Sequence, residues 1–386
     1  MVSSRPLRLV GRTLVVGADP PIAGWVDERL ADLVADPALP PAAGASTSRL
    51  DITATGGLWQ LTIDGVEWLT VPNPSDAFDQ LVGLANAEAA RSTGVVVLHA
   101  AAAARDGRAA VLAAPSGHGK TVLVGGLVRR GWGYLSDELA PLTPFGTVLP
   151  YPKPLTIKPG GRSLVTGDEP DADQQPSMAR CYLRPVELGG VLAPETPLGA
   201  VLVVAHQQGP FSSRPLGPTA ACLALAAQIH TPSTVDLAAL GQIAATVPGF
   251  VATVHDLDEA AAALADVLRS AVPHPDASAE AWPAVAAGPV AATAGSITAT
   301  SVLGPAAGVH GVRLADGGVL HQPGTGQLVA LNELGAAVWP LLDLSTPLAA
   351  TAEQLATIFA TAPGTVLTDL VALARQLATR GVLSSA

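Results

Sequence analysis

The segment A-A-P-S-G-H-G-K-T, residues 113–121, lies between two apolar runs, R-A-A-V-L-A-A before it and V-L-V-G-G-L-V after it. The first run reads as a buried strand and the second as the body of a helix, joined by a glycine-rich turn. A strand that feeds a helix through such a turn belongs to an α/β architecture. Backbone N–H groups of the turn and of the helix N-terminus are then disposed to wrap a phosphate. Ser116, Gly117, His118 and Gly119 form the turn, Lys120 is placed to reach β- and γ-phosphate oxygens, and Thr121 carries a hydroxyl suited to Mg²⁺. The departure from the full G-x-x-x-x-G-K-[ST] pattern is Ala114, which is tolerable only without a positive φ. ATP with Mg²⁺ is the expected ligand.

Asp137 and Glu138 follow Thr121 by sixteen and seventeen residues, at the end of a strand-like G-Y-L-S-D-E. Two acids at a strand terminus beside a phosphate loop can divide the work, one holding Mg²⁺ and the other accepting a proton from an attacking hydroxyl. A solvated pair at a strand end is the plainer alternative. Lysine usage points to the same region. The chain has 21 basic residues, and its only lysines are Lys120, Lys153 and Lys158. A compact ammonium at Lys120 suits a nucleotide site, whereas Lys153 and Lys158 fit either phosphate contacts or a proline-rich surface loop.

Composition sets the outer limits. Hydrophobic residues make up 49% of the 386 and charged residues 14%, which excludes a mainly disordered chain and suggests more than one domain. A net charge of −11 argues against sequence-independent nucleic-acid binding. No signal peptide or long apolar run is apparent, so no membrane partner is expected. Two cysteines, Cys181 and Cys222, give no disulfide framework, and a cytoplasmic location fits best.

Along the chain, residues 1–90 read as a small α+β domain without chemistry of its own. Gly56-Gly57 and Asp64-Gly65 mark two hairpin turns, Trp59, Leu61 and Ile63 share a face, and Ser75 is the expected cap of a helix carrying Phe78, Leu81, Val82 and Ala85. Residues 91–271 alternate strand-like and helix-like segments, with helices expected at 219–229 and 258–269. The Pro- and Ala-rich stretch 272–295 reads as a linker that leaves its flanks separable. Residues 296–386 read as short strands, then a helix capped by Asn332, a second over 345–360 and a third stopped by Gly381.

The stretch from His99 to Lys158 resembles the catalytic core of HPr kinase and its relatives. The likeness is carried by V-L-H-A-A, S-G-H-G-K-T, Arg130-Gly131 and the acids of L-S-D-E. It implies that Asp137 is the base that activates a serine hydroxyl, that Glu138 sits near the metal with Thr121, and that His99 lies near the transferred phosphate. Val122 stands where true HPr kinases carry glutamate, and their phosphorylase-linked glycine signature is not visible, so one-way phosphorylation is implied.

The segment L-N-E-L-G-A-A-V-W, residues 331–339, resembles the core pattern of the PqqD-like family of peptide-recognition domains. That likeness implies a winged-helix-like module whose strand edge, residues 327–331, docks a leader peptide with Arg375 opposite, while Leu334 and Trp339 are expected in the core. The combined expectation is an α/β chain: a P-loop, HPr kinase-like core, a small α+β N-terminal domain and a C-terminal PqqD-type domain. Its expected activity is ATP-dependent phosphorylation of a hydroxyl in a ribosomally made precursor peptide; a homo-oligomer is compatible with it. The alternatives are a non-catalytic peptide scaffold and an ATP-dependent enzyme acting on a small molecule or a carboxylate. The sequence assigns no role to Arg180 or Arg184.

Overall fold

The computed structural model describes residues 4–35, 46–158, 160–167, 180–229, 235–284 and 290–386. The chain forms two compact units, and it passes between them three times: residues 1–214 and 250–272 make the first, 215–249 and 273–386 the second.

The first unit opens with a five-stranded sheet in chain order: Ser4–Leu9, Arg12–Ala18, Ser46–Thr55, Leu58–Ile63 and Val66–Val71. Both expected hairpins are present, and Gly56, Gly57, Asp64 and Gly65 take the positive φ values their two-residue turns require. Helix Pro74–Ala90 packs on the sheet through Phe78, Leu81, Val82 and Ala85. Its cap is Asn73, not Ser75. The Asn73 side chain accepts the Asp76 N–H at 2.8 Å, and Pro74 takes the first helical position, where a missing N–H costs nothing.

A larger sheet runs Val191–Leu192, Gly133–Ser136, Ala101–Arg105, Arg108–Ala113, Thr196–His206, Thr147–Val148, Ala140–Leu142 and Val96–Leu98, and Gly249–Val254 also pairs with Thr196–His206. The apolar run from Val95 to Ala104 is broken at His99-Ala100 into Val96–Leu98 and Ala101–Arg105. Helices Lys120–Arg129 and Leu257–Ser270 bury Leu123, Val124, Leu127, Leu264 and Leu268 in the core of this layer. Gly126 allows their close approach: a Cβ there would lie 2.9 Å from Leu257 Cδ1.

The second unit is built on a sheet ordered Glu280–Trp282, His310–Leu314, Gly317–Gln322 and Gln327–Asn332. Helix Pro218–Ala226, expected at 219–229 within the preceding region, packs against this sheet instead, together with helix Leu237–Thr246, which the sequence reading did not single out. A Cβ on Gly241 would meet Val312 Cγ2 at 2.5 Å, and the Thr219 hydroxyl donates to Asp316 Oδ1 at 2.7 Å. The stretch read as a linker contains the edge strand Glu280–Trp282 of this sheet, with Trp282 buried. Trp282 is buried over Gly311 and Gly318, because two glycines set diagonally on neighbouring strands leave room for the indole. Residues 285–289 of that stretch lie outside the described residues. Helices Glu333–Val338, Leu348–Phe359 and Pro363–Thr379 follow, and Gly381 takes the positive φ of a helix stop. Among the described residues no helix is long and apolar enough to cross a membrane.

Candidate functional site

Register places the expected site residues at one end of the larger sheet. Ala101–Arg105 runs antiparallel to both neighbours, with Ala101 opposite Leu112 and Ala102 opposite Ser136. The start of that strand therefore lies beside the ends of the other two. His99, the 114–119 loop and the Asp137-Glu138 pair all leave the sheet there.

In the loop, Gly117 and Gly119 take φ of +85° and +77°, and a Cβ on either would meet nothing within 4 Å. Ala114 does not take a positive φ, which meets the condition its identity imposes. Gly119 caps helix Lys120–Arg129 without a side-chain hydrogen bond, so the first-turn N–H groups have no side-chain partner from the cap. Lys120 folds back over the loop, its Nζ donating to the Ala114 carbonyl at 2.6 Å. Burial lowers its pKa, while Glu138 acts against that shift. Ser116 and His118 are exposed, and His118 Nδ1 lies 3.3 Å from the Ser116 carbonyl. Thr121 is half-buried at the start of the helix.

The two acids differ sharply. Asp137 is closed in, with its side chain 1% exposed. Its Oδ1 accepts from Lys153 Nζ at 2.6 Å and from the Tyr134 hydroxyl at 3.1 Å, and its Oδ2 accepts the Thr156 N–H at 3.0 Å. The Glu138 side chain is 35% exposed, and its Oε2 accepts from Asn86 at 2.9 Å and pairs with Lys153 at 3.2 Å. Burial alone would raise the Glu138 pKa; Lys153, the Asn86 amide and His99 outweigh it and hold the carboxyl below its ordinary value. Glu138 thus interacts electrostatically with both His99 and Lys120.

Lys153 is fully buried and also donates to Thr156 Oγ1 and the Pro154 carbonyl. Burial would lower its pKa, but Asp137 and Glu138 raise it above 10.5. Burial likewise drives the Tyr134 and Tyr151 hydroxyls well above their ordinary values, with Asp137 adding to Tyr134 and Glu138 and Asp137 to Tyr151. Lys158 is exposed, Arg184 is forked onto Asp32, and Arg180 lies 3.8 Å from Asp79.

Sequence reasoning missed Asn86, which bridges Tyr151 and Glu138 from a domain read as having no chemistry. One signal was present: Asn86 continues the Phe78, Val82 stripe at helical spacing, a polar residue on an apolar face. No group of three or more His, Cys, Asp or Glu able to hold a metal occurs among the described residues. Thr121 and Glu138 suit Mg²⁺ only as the one or two protein ligands of an ion held mainly by phosphate and water.

In the second unit, Gln327–Asn332 is an edge strand that pairs on one side with Gly317–Gln322. Beside it lies a groove of about 490 Å³, walled by Leu328, Ala330, Leu373, Gln376, Arg380 and Leu223. Among the described residues no second strand pairs with this edge, but Arg375 is not opposite it. Arg375 donates to the Ile297 carbonyl at 2.9 Å and lines a separate cleft with Thr298 and Val371, because it projects from another face of helix Pro363–Thr379. Trp339 is buried as expected. Leu334 is not: it is 48% exposed in the first turn of its helix.

This unit contains the match to a known family. Residues 317–383 match the model of Coenzyme PQQ synthesis protein D (PqqD). The chain carries a C-terminal PqqD domain. The matched span takes in the edge strand and the helix that face each other across the groove. It does not reach His99–Lys158, whose likeness to HPr kinases stands as a resemblance of motif. A search of curated proteins finds no significant match to the chain.

Proposed function

We propose that this protein is an ATP-dependent kinase that phosphorylates a hydroxyl, serine by expectation, in a ribosomally made precursor peptide whose leader docks on the PqqD domain. The observation that carries the reading is the convergence of His99, the 114–119 loop, Lys120 and Glu138 at one end of three adjacent strands. PqqD domains bind precursor peptides, which supports a peptide partner. A free strand edge beside an apolar groove suits an extended peptide, with main-chain hydrogen bonds giving affinity and side-chain pockets giving selectivity.

Residues 116–121 would hold the phosphates of ATP and, through Thr121, its Mg²⁺; when bound, the nucleotide supplies the phosphoryl group. Helix Lys120–Arg129 would present its N-terminal N–H groups to that charge. Lys120 would exchange the Ala114 carbonyl for phosphate oxygens, which offer a stronger charge-assisted bond. His99 would border the transferred group, and the acid pair would supply the proton acceptor.

The test is incubation of the full chain with Mg-ATP and candidate serine-containing precursor peptides, each with its leader, read by mass spectrometry. Gain of one phosphoryl group on a serine is expected, together with its loss in Lys120→Ala. Absence of nucleotide binding at millimolar ATP would sink the reading.

A further inference from the structure

The two acids are not equivalent, and their surroundings decide which can react. Asp137 has three hydrogen bonds on two oxygens and almost no exposure. Three of its roughly four acceptor positions are taken inside the protein, and its closed-in side chain leaves a ligand hydroxyl no path to the fourth. Among the described residues Glu138 is tethered through Oε2, by Asn86 and Lys153, which leaves Oε1 as the oxygen available to an incoming group.

We propose that Glu138, rather than Asp137, is the carboxylate that meets the reacting group, and that Lys153 is the positioning residue that keeps Asp137 closed and Glu138 aimed. The proposal rests on the phosphotransfer reading above. In that reaction Glu138 takes the hydroxyl proton as the hydroxyl oxygen bonds to the γ-phosphorus. The bond from that phosphorus to the β-phosphate oxygen breaks, and its electron pair leaves with ADP. Thr121 then remains as the protein ligand of Mg²⁺. The charged and titratable groups around Glu138 are Lys153, Asp137, Lys120, His99 and Tyr151. Lys153 is the cation bonded to it, and with Asn86 it fixes Oε2 in place.

Two measurements on the full chain test this. Carbodiimide with glycine ethyl ester, mapped by tandem mass spectrometry, reads which carboxyl is reachable without any nucleotide. Glu138 should be labelled in the folded protein and Asp137 only after unfolding, and Mg-ATP should protect Glu138. Labelling of Asp137 at the rate of Glu138 overturns the assignment while leaving the kinase reading intact. Failure of Mg-ATP to protect, with no ADP formed, removes the kinase reading and this role with it.

The second measurement is ADP release in Mg-ATP with water as acceptor. Glu138→Gln should lose about a hundredfold or more, the size of a general-base contribution. Asp137→Asn alone leaves Lys153 buried without its partner, so the informative variant is the neutral pair Asp137→Asn/Lys153→Gln. It should keep more than a tenth of the turnover. What it loses should fall on kcat with the KM for ATP unchanged, because Lys153 aims Glu138 and does not hold the nucleotide. A loss confined to KM, or none at all, makes Lys153 merely structural, and an inactive pair beside an active Glu138→Gln reverses the roles.

Discussion

A lysine with 1% of its side chain exposed must be paired, and Lys153 is paired with two carboxylates at once. Lys153→Met should therefore destabilise the protein by about 3–5 kcal/mol, the cost of stranding a buried partner charge. Denaturant unfolding would check it, and adding Asp137→Asn should recover much of the loss, since a neutral pair strands nothing. The same cluster sets a pH dependence. The folded Glu138 pKa lies below its ordinary 4.5, so its stabilisation is present above about pH 4.5 and disappears as pH falls through the lower folded value. The folded Lys153 pKa lies above 10.5, so its contribution is full below that pH and is lost as pH rises through the folded value. Thermal melting across pH should show a plateau bounded by these two losses, and Glu138→Gln should flatten the acid flank. The loop and the acid pair were legible in the sequence because each is a local pattern. The clamp on Asp137 was not, because it depends on where the chain returns sixteen residues later. The confinement of lysine to residues 120–158 hinted only that something there needs an ammonium.

At the scale of elements, the hairpins, the Asn332 cap and the Gly381 stop could be read in advance because turn and cap chemistry is local. Side-chain direction on a helix depends on the partner it meets, so Arg375 was placed on the wrong face of helix Pro363–Thr379. This yields a discriminating experiment. Arg380→Glu and Leu373→Ser alter the groove wall, and each should weaken binding of the leader peptide about tenfold or more by titration calorimetry, as loss of a pocket contact does. Val371→Ser, in the separate cleft, should leave Kd unchanged. Equal losses from all three would remove the groove as the docking site. Trp282 was read as part of a linker because its strand has three residues and no periodicity. Its burial over Gly311 and Gly318 predicts that Trp282→Ala costs about 3–5 kcal/mol, measurable as a lower unfolding midpoint of the second unit.

The order of elements along the chain suggested a catalytic region, a tether and a separable peptide-binding module. The contacts divide the chain differently. Residues 215–249 belong to the unit that carries the PqqD domain, although they precede the last strand and helix of the first unit. No local signal announces this; Gly241, kept small for Val312, is the nearest thing to one. A cut near residue 287 would strand helices Pro218–Ala226 and Leu237–Thr246, whose Cys222, Leu225, Leu237, Leu240 and Ile243 are buried in the intact unit. Exposing five such side chains forfeits about 1.5–3 kcal/mol for each large one, enough to leave a sticky, poorly packed segment. A chain ending at Val272 should therefore bind a hydrophobic dye and aggregate. Removing residues 215–249 as well should restore a monodisperse first unit. The flanking strands Ser212–Leu216 and Gly249–Val254 are paired neighbours, so a short glycine-serine turn can join Arg214 to Phe250. That trimmed unit should bind a fluorescent ATP analogue as the full chain does, since His99, Lys120, Asp137, Glu138 and Lys153 all remain. It should phosphorylate the precursor with a raised KM, because the docking groove has gone. Size-exclusion chromatography separates the outcomes: a well-behaved, dye-free chain ending at Val272 would show that the two helices do not depend on the C-terminal sheet.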